Sequence, residues 1–541
     1  MTPAACGRSF RRGCRRHLGT GVDRVAGTDC NRLGARSVLS GMSPQIPARE
    51  AERRGLRLWN VGIVLLLAFA GALLVAGFVF WTGWDLLGAR ELKKQQKIDS
   101  KTLFDLVKLS FGVVAGAGAL VALVVAYRRQ RVDEDAALRD TTRLHNERFT
   151  NAVSQLGSEA PTVRLGGVHA LAGLADDAPT RQLRQTCIDV LCAFIRLPYT
   201  AESALAAGAE ARHSYLALRE ARHTVIRLVR DHLRLPQEHP HSWQGHDFDF
   251  TNAVFDGGDL SQATFSGGAV TFTGATFLGG AVTFVDVTFS GGEVFFLDAT
   301  FSGGEVEFRG ATFSGGEVYF AGATFSGGEV YFTGATFSGG EVYFTGATFS
   351  GGEVAFLDAT ISGGRVEFSY ATISGGKVDI TGATISGGEV AFTRTKCLSG
   401  TVDFTGSRIS GGTVDFTRAA FSGGIVDFDS AAFSGGVVNF PRATFSAGIV
   451  DFSEARFAGS MVDFTEATFS HGTVYYVRSM FSGGTVDYTD ATFSGGTVDY
   501  TDATFSGGTV NFSGATGSAP VGLLTAAGSP LPAGVTLAAG W

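Results

Sequence analysis

The chain has 541 residues, a formal net charge of −7, 45% hydrophobic residues, 75 Gly and 45 Phe. Twelve Pro and no Gly-X-Y period exclude collagen. Phe- and Val-rich sequence can bury a core, which excludes general disorder, and six Cys are too few for a disulfide-dense secreted scaffold. Charge is unevenly spread: residues 1–57 hold 12 Arg against 4 acids, whereas residues 246–516 hold 10 basic residues against 29 acids. The basic tail and the acidic half are therefore separate physical objects.

Residues 1–57 read as a basic, disordered tail, suited to a membrane surface. Residues 1–41 have no hydrophobic period, so Met42 is an alternative start. Two transmembrane helices are expected within 58–131, at about 60–82 and 104–127. Val61 to Phe80 carries no charge and is long enough to cross ~30 Å of hydrocarbon as a helix. Trp59, Trp81 and Trp84 flank it, where amphipathic rings favour the interface. The second run, from about Phe104 to Tyr127, has Lys108 near its end, placed to snorkel. Arg53, Arg54 and Arg57 precede the first run, and Arg128, Arg129 and Arg131 follow the second. These flanks predict an inner-membrane protein with both termini cytoplasmic, against the basic loop of Arg90, Lys93, Lys94, Lys97 and Lys101 between the spans.

Residues 132–240 switch to helical spacing. Helices are predicted over Thr141–Leu156, Thr162–Leu174, Arg181–Arg196 and Arg212–Leu235, resembling a HEAT-style pair that caps the next domain. Cys187 and Cys192, five apart on one helix, read as buried thiols. His239, His241 and His246, beside Asp247 and Asp249, lack the fourth well-spaced ligand of a metal site. No metal and no cofactor is assigned.

From Phe265 the chain repeats every 12 residues, in 21 units, as in Ala335-Thr-Phe-Ser-Gly-Gly-Glu-Val-Tyr-Phe-Thr-Gly346. Val270 through Val510 is Val in all 21 units, and the column two residues later is Phe in 17. Ala-Thr-Phe and Val-x-Phe alternate apolar and polar residues, so each is a short strand with two inward side chains. Gly-Gly, present in 17 units, marks a corner by accepting positive φ. One unit is too thin to close round its own side chains. Two units make a four-sided coil of about 24 residues, predicting about ten coils in a rod ~50 Å long. The domain is set at 246–516, and residues 517–541 are expected to be a flexible tail.

The steps of five from Phe250 through Phe255 and Leu260 to Phe265, with Ala253 and Ala263 two before the aromatic, resemble pentapeptide-repeat proteins. Asp249–Phe265 is the closest stretch, and Arg164–Arg196 is similar to the helical region before the repeats in membrane-bound bacterial members, of actinobacterial type. Separately from the resemblance, the residues carry no catalytic motif and their carboxylates recur in ladders, which predicts a non-enzyme. The resemblance implies a mainly β fold: a right-handed parallel β-helix, four-sided. The alternating seven-residue step departs from that pattern. It predicts a coil of two units, longer than four steps of five.

Function must reside on outward positions. Glu293, Glu305, Glu317, Glu329, Glu341 and Glu353 precede Val, and Asp403, Asp415, Asp427, Asp451, Asp463, Asp487 and Asp499 follow it. These read as acidic ladders, offered to a protein partner with a basic surface or serving solubility alone. The expected role is a membrane-anchored scaffold. A topoisomerase-binding DNA mimic, as some soluble members of the family are, and a surface stalk or adhesin are the alternatives. Direct nucleic-acid binding is disfavoured by the charge, and no small-molecule substrate is inferred. Thr312, Thr324, Thr336 and Thr348 resemble a hydroxyl lattice that would order water, interrupted at Lys396, Arg408, Ala420, Ala432 and Arg456. No Walker A, G-x-S-x-G or H-E-x-x-H motif is present, and Cys397 occupies an inward apolar column.

Overall fold

The computed structural model describes residues 69–71, 74, 77, 78, 81, 82, 85, 99–200, 202, 205, 208–522 and 534–541. The chain divides into two compact units, 1–131 and 132–541. The predicted basic tail lies outside the described residues, and so does most of the first predicted span. The second falls in a helix, α1 (Ser100–Leu156). Among the described residues no helix is long and apolar enough to cross a membrane, so both spans rest on the sequence.

Three shorter helices follow: α2 (Pro161–Asp176), α3 (Arg181–Arg196) and α4 (Ala209–Leu233). Pro161 starts α2, where its missing N–H costs nothing. The Thr180 hydroxyl caps α3 by accepting from the Leu183 N–H at 3.2 Å. A small residue marks the crossing of α1 and α2. A Cβ on Gly167 would stand 2.9 Å from the Leu156 Cα, so only glycine lets α2 lie this close to the end of α1. Cys187, Ile188, Leu191, Cys192 and Ile195 form the inner face of α3.

α3 and α4 are clamped to the first coil of a solenoid. Arg196 pairs with Asp249 at 2.5 Å, and Arg230 pairs with Asp259. Between them Asp256 is buried and receives the Tyr199 hydroxyl at 2.5 Å and the Tyr215 hydroxyl at 2.7 Å. Arg219 lies 3.3 Å and His223 3.4 Å from the same carboxylate. Burial alone would raise its pKa, but His223 and the two tyrosines outweigh it and hold the carboxyl far below the usual range.

The solenoid has four parallel ladders. Two are built from Thr-Phe strands and two from Glu-Val-x strands, alternating around the coil. Thr300 pairs with Thr324, and Glu317 pairs with Glu341. Each strand thus meets its equivalent two units on, and one coil takes two units, as the sequence requires. One ladder is twelve strands deep and another eleven. The other two ladders are joined into a single 22-stranded sheet, with the long strands Arg456–Asp463 and Met480–Asp487 running on through a corner. Twelve levels exceed the ten expected. The steps of five at 248–265 close an extra coil, in which Phe248 pairs with Val270 and Val254 with Thr276, a span shorter than two full units. The far end also adds a level, Thr516–Gly517.

The core is a set of stacked columns. Phe296, Phe320, Phe344 and Phe368 follow one another at 4.6 to 4.8 Å between ring centroids, with planes within 6°. All are fully buried. Strand spacing fixes that distance, so the backbone ladder and the ring stack share one repeat.

The two kinds of corner differ from the sequence expectation. In the central coils Gly-Gly is not needed for positive φ. It is needed for close approach, since a Cβ on Gly340 would stand 2.8 Å from the Gly316 oxygen and 2.9 Å from the Phe313 Cβ. Nearer the two ends the second Gly of a pair does take positive φ, as at Gly268, Gly280, Gly388, Gly412, Gly436, Gly484 and Gly508, and along the whole rod so does the other corner, before the buried Ala. There Gly346 has φ 68°, and Asp298, Arg394 and Glu466 share that conformation.

The tail also differs from expectation. Val535 pairs with Val510 in a last parallel strand. The Trp541 ring packs 5.3 Å from Phe512, and its indole N–H donates to the Gly517 carbonyl at 2.9 Å.

Candidate interaction faces

The six predicted Glu residues separate onto two faces. Glu293, Glu317 and Glu341 stack in one ladder, and Glu305, Glu329 and Glu353 stack in the other Glu-Val-x ladder. A Thr-Phe ladder separates the two on either side, so they are opposite sides of the coil. Each triplet ends on a cation in register: Arg365 follows Glu341, and Lys377 follows Glu353. Burial, with Asp379 and Glu329 adding to it, pushes the Glu353 carboxyl up, against the pull of Lys377.

The two faces carry aromatic residues that the sequence reasoning did not single out. Phe295, Tyr319 and Tyr343 stack at 5.1 and 4.9 Å on the first face. Tyr319 donates to Glu317, Tyr343 to Glu341, and Tyr331 to Glu329 on the opposite face. Burial and the Glu317 acceptor both push the Tyr319 hydroxyl up. The signal was present in the sequence as Glu-Val-Tyr, since residues two apart in a strand share a face.

The Asp residues do a different job. Each of the seven accepts the backbone N–H two residues on: Asp403 from Thr405, Asp415 from Thr417, Asp427 from Asp429, Asp451 from Ser453. Asp463, Asp487 and Asp499 do the same with Thr465, Thr489 and Thr501. These are Asx turns that close a corner. Asp403, Asp427 and Asp451 form one ladder below Asp379. Asp415, Asp463 and Asp487 belong to the opposite face, where Asn439 separates the first two. Asp499 follows Tyr475.

A single lysine divides the Asp ladder electrically. Lys377 lies 2.5 Å from Asp379 and 3.0 Å from Asp403. Burial would raise Asp403, but Thr405 and Lys377 outweigh it and hold its carboxyl down. One level on, burial and the neighbours Asp451, Asp403 and Asp429 push Asp427 up. The Thr ladders are uninterrupted from Thr264 to Thr384 and from Thr276 to Thr372, and every predicted interruption lies C-terminal to these runs.

The His cluster does not converge. His239 and His241 meet edge to face at 5.4 Å, while buried His246 bonds to Gln185 at 2.9 Å. Burial, with Arg181 and Arg184 adding to it, pushes His246 down to about 4. Among the described residues no group of three His, Cys, Asp or Glu is placed to hold a metal ion. Cys187, Cys192 and Cys397 are buried and free, and burial raises their thiols to about 11, 12 and 12. Thiols held so high are inert at neutral pH.

Comparison with curated proteins and with solved structures gives no match. Residues 250–296 and 327–372 match a family model described as pentapeptide repeats (9 copies). That match, on a parallel solenoid of four ladders, supports placing the repeat domain among pentapeptide-repeat proteins, with two repeat units to the coil.

Proposed function

We propose that the chain is a non-enzymatic scaffold, anchored in the cytoplasmic membrane by its two apolar runs, that binds a basic surface of a protein partner along its acidic faces. The observation that carries this reading is the pair of Glu triplets on opposite sides of the coil. Carboxylates ~4.8 Å apart repel one another, and a cationic partner relieves that repulsion. The stacked tyrosines beside one triplet donate to Glu317 and Glu341 and hold those carboxylates in place.

Membrane anchoring rests on the two apolar runs of the sequence, the second of which lies in α1. Leu109, Phe111 and Leu123 on α1 are 69%, 70% and 67% exposed. Large apolar side chains left open in this way are unfavourable in water and at home in hydrocarbon. The Arg flanks orient both termini and the solenoid to the cytoplasm.

The test has two arms. A reporter that fluoresces only in the cytoplasm, fused after Trp541, is expected to be bright; a signal only from an external reporter would make the domain a surface stalk. Full-length protein is then purified beside a Glu317→Lys/Glu341→Lys variant and a Thr372→Lys control. The expected result is a partner retained by wild type and control, released by salt, and lost from the charge-reversed variant. Equal retention by all three would remove the acidic faces from the account.

A further inference from the structure

One corner of the solenoid carries both signs of charge in an order that complements itself. In successive coils the residue before the buried Ala-type position is Tyr370, Arg394, Arg418, Arg442, Glu466 and Asp490. Backbone bonds hold these levels in register: the Arg394 N–H donates to the Thr417 carbonyl, Arg418 to Pro441, Arg442 to Thr465 and Glu466 to Thr489. All six share one left-handed backbone, with φ between 56° and 61°. Their side chains therefore leave the coil at equivalent points ~4.8 Å apart, and all six residues are exposed.

Within one copy only part of this charge is satisfied. Arg394 bonds to the Tyr370 hydroxyl and lies over its ring at 5.5 Å. Arg442 grips Glu466 through two bonds of 2.8 and 3.0 Å. Among the described residues Arg418 and Asp490 make no side-chain hydrogen bond or ion pair. They stand three levels apart, ~14 Å, which is too far for them to meet.

We propose that this edge docks on the same edge of a second copy, antiparallel, about a two-fold axis between the levels of Arg442 and Glu466. The rotation brings Arg418 to the partner's Asp490, and Arg442 to the partner's Glu466, with both pairs repeated across the axis. The parallel arrangement would set Arg against Arg. Because the two rods have the same rise per coil, all four pairs close together without drift. The strip is narrow and buries much less than the ~1,200–2,000 Å² of a stable interface. The association is accordingly weak, ionic and sensitive to salt. It uses neither Glu triplet and stands apart from the scaffold reading.

The test is sedimentation of charge variants of the full chain in mild detergent. Wild type is expected to associate at 50 mM salt and several-fold less at 500 mM. Arg418→Asp is expected to dissociate the pair, and adding Asp490→Arg to restore it. Association that is indifferent to Arg418→Asp, or a charge exchange that fails to restore it, would each overturn the proposal.

Discussion

At the scale of single residues, two carboxylates respond to acid in opposite directions. Asp256 is held down, against its burial, by His223, Tyr199 and Tyr215. Its contribution to stability is present above the unfolded carboxyl value, ~3.9, and is lost as pH falls below that value. Asp427 is pushed up by burial and like charges. Its contribution is unfavourable at neutral pH and vanishes as pH falls through the raised value to ~3.9. Asp256→Asn is therefore expected to cost about 3 kcal/mol at pH 7, by leaving its donors without a charged acceptor. Asp427→Asn keeps the turn acceptor and should add about 0.5 kcal/mol by removing like charge from the ladder. Urea midpoints at pH 7 and pH 4 read both changes. The reverse order of effects would refute this account of the two sites. Of these two residues only Asp427 stood out in the sequence. Asp256 occupies the place that Ser takes in most later units, and its role comes from residues far back in the helical segment. No local pattern announces such a contact.

At the scale of the element, glycines that look alike in sequence carry different loads. Gly340 sits where the Gly316 carbonyl and Phe313 leave no room for a Cβ. Gly346 has positive φ with nothing within 4 Å of a Cβ. Gly346→Ala should cost about 1 kcal/mol of backbone strain. Gly340→Ala should cost more, because two coils must move apart and loosen the ladder hydrogen bonds beside it. Comparable midpoints for the two variants would argue against steric approach as the reason for Gly-Gly. The strands themselves were legible, because alternation with period two leaves one choice of inward face for Val and Phe. The reason for Gly-Gly in the central coils was not, because close approach of two coils is a relation between residues two units apart. The same limit hid the division of the Glu column. A single period in sequence becomes two faces only when a coil takes two units.

At the scale of the whole solenoid, tolerance to deletion comes in whole repeat units. Removing Ala335–Gly346 places Ala347 where Ala335 stood. Each later Val and Phe then falls on an equivalent inward position, with the two Glu-Val-x ladders exchanged beyond that point. This deletion is expected to fold, with cooperative melting and unchanged far-UV dichroism. Removing only Ala335–Gly339 breaks the alternation of five- and seven-residue steps and should give a protease-sensitive chain. Equal behaviour of the two deletions would show that the register is looser than the pairing implies. The helical segment before the rod was visible in the sequence as a change of period. That it caps the rod was expected as well; the residues that seat it were not, since the ion pairs that fix it join α3 and α4 to turns of the solenoid.

The return of the chain at residues 534–541 has a consequence for the state of the protein in solution. A stack of parallel strands ends on unpaired N–H and C=O groups, and a regular array of that kind can seed growth by adding like molecules end to end. Val535 occupies one such row over Val510, Val521 bridges to Asp499 in another, and the Trp541 indole lies over the last aromatic layer. A chain stopped after Gly522 would expose the Phe512 layer and the row at Val510. It is expected to polymerise into thioflavin-positive filaments whose rate rises with concentration, while the full chain stays dispersed. The closing segment, on this view, acts as a terminator of fibre growth.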